Sequence, residues 1–232
     1  MGCSSRFFST SRTAMTTFPN APKVLKGGIA LIDPVSAQVR RIIALQYNPD
    51  SLTRTLQIQG AGGDEGNRSE AMRFKGPAVE TFKLDAEIDA ADQLEFPDQH
   101  RAVVENGIQP QLAVLESLIY PTSNQLLNRN TMAQSGTLEI APMEAPLALF
   151  IWSRHRIVPV RVTDFSVTEE AFDPSLNPIR AKVSIGLRVL SVDDLGFAHK
   201  GGGLFMSYLQ AKERLAGKAQ AGSFSTLGIG GL

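Results

Sequence analysis

The sequence predicts an α+β domain in which the β-structure is mostly antiparallel and one helix lies at its flank. Three stretches carry this. Residues 80–90, ETFKLDAEIDA, alternate strictly, with Phe82, Leu84, Ala86 and Ile88 on one face and Lys83, Asp85, Glu87 and Asp89 on the other. A period of two with one apolar and one charged face is the pattern of a sheet wet on one side, which antiparallel sheets allow. Residues 177–190, NPIRAKVSIGLRVL, do the same over a longer run, with Ile179, Ala181, Val183, Ile185, Leu187 and Val189 opposite Arg180, Lys182 and Arg188. Between them, residues 108–120, IQPQLAVLESLIY, change to helical spacing, with a stripe of Leu112, Leu115, Leu118 and Ile119. Strands, then helix, then strands is the order of an α+β chain.

The remaining elements follow in chain order. KGGIALID (26–33) and VRRIIALQYN (39–48) flank the turn-like PVSAQ and predict a first hairpin. Asn48-Pro49-Asp50-Ser51 presets a type I turn, and the pattern resumes at Leu52, Leu56 and Ile58, so residues 45–58 read as a further hairpin. Residues 60–78 are glycine-rich, charged and aperiodic, which predicts a long loop. Pro110 suits a first helical turn and Pro121 stops the helix. Residues 122–142 lack strong periodicity and read as a loop or weak strand. PLALFIW (146–152) is continuously apolar, which predicts a strand buried on both faces. RIVPVRVTDFSV (156–167) alternates, and its Pro159 predicts an edge strand or a bulge. The strand at 177–190 spans about 40 Å at roughly 3.3 Å per residue. GGGLFMSYLQAKERLAG forms a short amphipathic helix on Leu204, Phe205, Tyr208, Leu209 and Leu215, ahead of a Gly/Ser tail.

The expected organisation is a disordered leader over 1–24, one domain over 25–192, a C-terminal helical extension over 193–216 and a flexible tail over 217–232. The leader is rich in Ser and Thr, carries Arg6 and Arg12 and lacks acids through residue 14, so a transit peptide is the other reading. Arg6 breaks the myristoylation pattern, and Met15 is an alternative start.

Composition limits function. The chain has 232 residues, 43% of them hydrophobic, enough for one sizeable core. Its formal net charge is +0, which argues against broad nucleic-acid binding and leaves little repulsion to oppose self-association. No apolar run reaches the roughly 20 residues of a membrane helix. The single cysteine, Cys3, permits no internal disulfide and fits a reducing, cytoplasmic setting.

Chemistry-bearing motifs are scarce. His100, His155 and His199 come without HExxH or a cysteine cluster, and no GxSxG is present. GAGGDEGNR (60–68) resembles a phosphate cradle, but the Lys-Ser/Thr pair is missing and Asp64 and Glu65 would repel an anion. The expectation is therefore a protein with no catalytic residues, no metal and no cofactor. The acidic face of Asp85, Glu87 and Asp89 and the basic face of Arg180, Lys182 and Arg188 read either as two solvated sheet faces or as complementary surfaces between subunits or a channel lining.

Taken in order, these motifs resemble the tube-adaptor proteins of contractile injection systems, the phage-tail-like particles of bacteria. The resemblance rests on Tyr47-Asn48-Pro49 ending a strand and on Phe74-Lys75-Gly76 leading into the alternating strand that ends at Asp89. It continues with the leucine-spaced helix at 112–119, a short strand from Pro146 to Trp152, and Pro178-Ile179-Arg180-Ala181 opening the last strand. It covers about residues 25–192 and implies a phage tail-tube-like two-sheet sandwich or barrel. It also implies a hexameric ring that joins the spike-bearing hub to the inner tube, alongside other baseplate subunits, and templates tube assembly. The nearest alternative is the inner tube subunit itself; a ligand-binding β-sandwich or enzyme is a more distant one. The implied place is a particle assembled in the cytoplasm that is released or acts at a membrane. Many members carry a C-terminal LysM module; here the residues after the last strand read instead as a short helix and a Gly-rich tail, so no LysM contacts are carried over.

Overall fold

The computed structural model describes residues 25–33, 36–60, 73–135, 145–220 and 222–230. Its strands are β1 (Gly28–Ile32), β2 (Val39–Ala44), β3 (Leu52–Gln57), β4 (Val79–Asp89), β5 (Leu147–Ser153), β6 (Arg156–Phe172) and β7 (Pro178–Val189). Its helices are α1 (Ala91–Leu94), α2 (Arg101–Asn106), α3 (Gln109–Glu116), α4 (Ser123–Gln134), α5 (Val192–Leu195) and α6 (Lys200–Ala216). The strands form one seven-stranded sheet in the order β2-β1-β5-β6-β7-β4-β3, with every neighbouring pair antiparallel. The α+β, mostly antiparallel fold is thus present, as one seven-stranded sheet that curls over a shared core.

The alternating strands dictate that core. Phe82, Leu84, Ala86 and Ile88 of β4 and Ala181, Val183, Ile185 and Leu187 of β7 point inward, and each is 6% exposed or less. Ile29, Leu31 and Ile43 from the other half join the same cluster. Phe150 links the halves: its ring lies 5.3 Å from Phe82 and 5.8 Å from Trp152 between centroids. The continuously apolar β5 is buried on both faces, as expected. Ala148 and Phe150 enter the main cluster, while Leu147 and Leu149 join Ala30 and Ile32 in a second one with Leu195 and Leu204.

The curl is fastened at its seam. The Gln46 side-chain amide imitates a strand neighbour for Asp89: Nε2 donates to the Asp89 carbonyl at 2.7 Å, and Oε1 accepts from the Asp89 N–H at 3.1 Å. Helix α3 covers the gap with Leu112 and Leu115, and Pro110 stands in its first turn. The turn before it depends on Gly107, whose φ is +59° and where a Cβ would strike the Pro178 carbonyl. That carbonyl accepts the Ile108 N–H at 2.9 Å, tying the helix to the start of β7.

Four expectations are corrected. The β1–β2 hairpin forms, but residues 45–58 do not make a second one, because β2 and β3 are the two outermost strands of the sheet. The Asn-Pro turn carries the chain across the seam, and β3 pairs with β4. Residues 122–142 contain α4, opened by a reciprocal Thr122–Gln125 capping box. No side chain of α4 is buried, so no apolar stripe marked it. Pro159 lies in a central strand, fully buried. It is tolerated because its missing N–H falls beyond the last β7 pair, where only its carbonyl bonds, to the Leu190 N–H. Finally, β6 runs on past residue 167 to Phe172.

The leader and most of the loop at 60–78 lie outside the described residues. The loop's two ends meet at a Gly60–Phe74 bridge and a Lys75 N–H to Gln59 carbonyl bond of 2.9 Å. Because Phe150 joins both halves of the sheet, Phe150→Ala is expected to cost about 3–5 kcal/mol in urea unfolding with no change in slope.

Candidate functional site: an assembly surface

The surface that stands out is one end of the sheet. β5 pairs only with the first part of β6, through Val160, while β7 pairs with β6 on to Phe172. Among the described residues, the distal half of β6 therefore has no partner on its other side. β3 likewise pairs only with β4. The strands β6-β7-β4-β3 form a four-stranded ribbon with an open edge on each side. Exposed apolar side chains mark both margins: Leu56, Ile58 and Phe74 near β3, and Phe172 and Leu176 at the β6–β7 tip. That tip is held by Asp173, whose carboxylate accepts from the backbone N–H groups of Ser175 and Asn177 and from the Asn177 side chain. These bonds, the Asn177 side chain foremost, lower its pKa.

The charged residues singled out from the sequence share the wet face of this ribbon. Register places them in rows across the strands: Asp89–Arg180–Glu170, Glu87–Lys182–Thr168, Asp85–Ser184–Ser166 and Thr81–Arg188–Arg161. Each of the first two β7 cations sits beside a β4 acid. Asp89 Oδ2 accepts from Arg180 Nε at 2.8 Å and pairs with its terminal nitrogen at 2.7 Å. Lys182 pairs with Glu170 at 3.4 Å, and Arg188 with Asp194 at 2.9 Å. Acidic and basic stripes are thus adjacent strands of one face, where they neutralise each other within the chain. Lys83, Arg161, Arg180, Lys182 and Arg188 are matched by Asp85, Glu87, Asp89, Asp164 and Glu170, so the face carries no net formal charge.

The remaining motif residues mostly shape the frame. Asn48 holds the chain entering β1: its Oδ1 accepts from the Gly27 N–H and its Nδ2 donates to the Leu25 carbonyl, both at 2.8 Å. Pro49 follows it into the seam crossing, while Tyr47 and Phe74 are exposed. A side chain at Gly76 would meet the Asp193 carboxylate, and the Trp152 ring lies over Gly27. Pro178 and Ala181 are fully buried at the start of β7.

The sequence reading missed one group. Glu80 lies on the inward face of β4 and is 3% exposed. Its carboxylate accepts from the Tyr208 hydroxyl at 2.8 Å and from Lys212 Nζ at 2.7 Å, both on α6, and Arg54 of β3 stands 3.8 Å away. Lys212 also lies 4.2 Å from the Tyr208 ring centroid. The spacing Phe205, Tyr208, Lys212 puts one turn after another of α6 against the sheet, and His199 caps the helix by accepting the Gly201 N–H. The only signal was the acid at position 80 in phase with the apolar face.

Among the described residues no group of three or more His, Cys, Asp or Glu side chains could hold a metal ion, and no helix is long and apolar enough to cross a membrane. The groove of about 370 Å³ between β2, β4 and α3 is lined chiefly by Ile42, Leu45, Ile88, Val114 and Leu115.

An antiparallel sheet with two open edges offers unpaired backbone groups to which further strands can add. Residues 31–194 match the family model described as contractile injection system tube protein, and the chain belongs to that family. Among solved structures it is similar to a chain in the tail of an empty GTA particle with C6 symmetry, at 11% identity and a TM-score of 0.27, covering 71% of this chain and 90% of that one. It is also similar to a chain in the virion of a native gene transfer agent, at 10% identity and a TM-score of 0.26, covering 73% and 95%. No curated protein matches.

Burial and the Glu80 carboxylate raise the Tyr208 pKa above its usual 10.0, burial contributing most. A raised value favours the neutral phenol, so the bond it donates is intact below pH 10 and is lost as pH climbs through the folded-state value. Urea midpoints measured from pH 8 upward should therefore fall more steeply for the wild type than for Tyr208→Phe once the pH passes about 10.

Proposed function

We propose that this chain is a structural ring subunit at the baseplate end of a contractile injection system's inner tube. There it joins the spike-bearing hub to the tube and templates the first tube subunits. The observation that carries the reading is the four-stranded ribbon with two open edges. Its strands alternate in direction, so β3 of one copy meets the distal β6 of the next in antiparallel orientation. Repeating that junction around an axis closes a barrel without free edges. The two edges are different surfaces, which is the heterologous contact a ring needs. Through β4 and β7, Leu52–Thr55 of β3 are level with Phe165–Arg161 of β6, so β3 overlaps only the start of the open stretch that runs on to Phe172, an offset of the kind that barrel shear requires.

In this arrangement the wet face with Asp85, Glu87, Asp89, Arg180, Lys182 and Arg188 lines the lumen or approaches the neighbouring copy. Six copies per ring follow the family resemblance. The hub, the inner tube protein and other baseplate subunits are the partners. The role is mechanical, and no catalytic step is assigned to the chain.

The alternative within the family is the repeated tube subunit itself, which the family description favours. The adaptor is supported by the helices α1–α4 and α5–α6 that accompany the seven-stranded sheet, since simple tube subunits are usually shorter. Electron microscopy of particles from a strain lacking the chain separates the readings. An adaptor leaves hubs on which tubes and sheaths fail to initiate, and one ring of it is present per wild-type particle. A tube subunit is present in many rings. Normal particles would contradict both.

Arg180→Glu with Lys182→Glu tests the face. Exposed ion pairs contribute about 0–1 kcal/mol each, so the monomer should stay folded with a similar melting temperature. Ring formation beside the baseplate partners, read by native mass spectrometry, should fall sharply. Unchanged assembly would remove these residues from the interface and the lumen.

A further inference from the structure

The Glu80 group joins three elements through one buried carboxylate. Glu80 belongs to β4, Tyr208 and Lys212 to the C-terminal helix α6, and Arg54 to the open edge strand β3. A buried carboxylate needs hydrogen-bond donors and opposite charge to stay in place. Arg54 is 39% exposed and Glu80 3%, so the arginine reaches inward from the rim to a fixed anchor. β3 itself has little else to fix it. Leu52 is half-buried, and the other five residues, Thr53–Gln57, are exposed. Beyond its ladder with β4, Leu52 and Arg54 are its inward ties.

We infer that Tyr208 and Lys212 are positioning residues for ring closure: by holding the Glu80 carboxylate they fix Arg54 and thereby the line of β3 presented to the next copy. The inference rests on the ring reading for its consequence but not for its geometry. Helix α6 follows the last strand, so the edge is fixed only after the C-terminal segment has docked. An incompletely folded chain would then present a loose β3 and be a poor ring partner.

The test uses amide hydrogen exchange on the dilute full-length chain. Lys212→Met keeps the side-chain stem and removes the charge. It should speed exchange across Leu52–Gln57 by at least about tenfold while β7 keeps wild-type protection. Tyr208→Phe should have a smaller effect in the same place, and Lys212→Arg should restore protection. Leu204→Ala is the control: it loosens the same helix through the second apolar cluster without touching Glu80, and should leave β3 protected. Equal β3 loosening in Lys212→Met and Leu204→Ala, or none in either, would overturn the inference. Native mass spectrometry with baseplate partners then reads closure. Lys212→Met should give fewer rings than wild type, and wild-type ring levels from a loosened β3 would overturn the positioning role. If the wild type itself never forms rings, the ring reading fails while the exchange result still decides the clasp.

Discussion

A β-strand carries backbone donors and acceptors on both of its sides, and the structure depends on where this chain leaves them unpaired. The long β6–β7 ladder is the spine. Its first part is flanked by β5 and helps to build the curled core, and its second part extends beyond β5 with β4 and β3 on one side only. Leaving two edges open is a liability for a free monomer, since open edges recruit other strands. In a ring subunit the same edges become the means of assembly. Pro159 fits this division, because it sits in the part of β6 where its missing N–H costs only the terminal ladder bond.

The interior and the exterior of the ribbon solve different problems. Inward, strict alternation packs β4 and β7 against Phe150 and the helices, with Glu80 as the one buried charged residue among those described. Outward, acids of β4 and β6 flank Arg180 and Lys182, while Arg188 pairs with Asp194 of α5. Adjacent opposite charges satisfy one another in the free chain and leave a polar face of no net sign. Such a face exerts little long-range pull on charged molecules of either sign.

Much of this was legible in the sequence, for physical reasons. β4 and β7 announce themselves because one face is buried and one is wet, so the side-chain period is forced. β5 reads as doubly buried because two clusters claim its two faces. Helix α3 shows its stripe because it covers the seam. What was hidden lacked such forcing. Helix α4 buries nothing, so only its Thr122–Gln125 capping box betrays it. The turn at Asn48-Pro49 specifies a local bend but not which strand lies beyond it, and here it spans the seam. The open edges are a property of sheet order, which no single strand encodes. The Glu80 anchor depends on residues more than a hundred positions apart, brought together only when α6 docks.

The most direct measurement is a cryo-electron microscopy map of the assembled ring at a resolution that traces the backbone. The account predicts a continuous antiparallel ladder from β3 of one copy to the distal half of β6 in the next. Copies that meet through their helices, with β3 and distal β6 both left open to solvent, would contradict it.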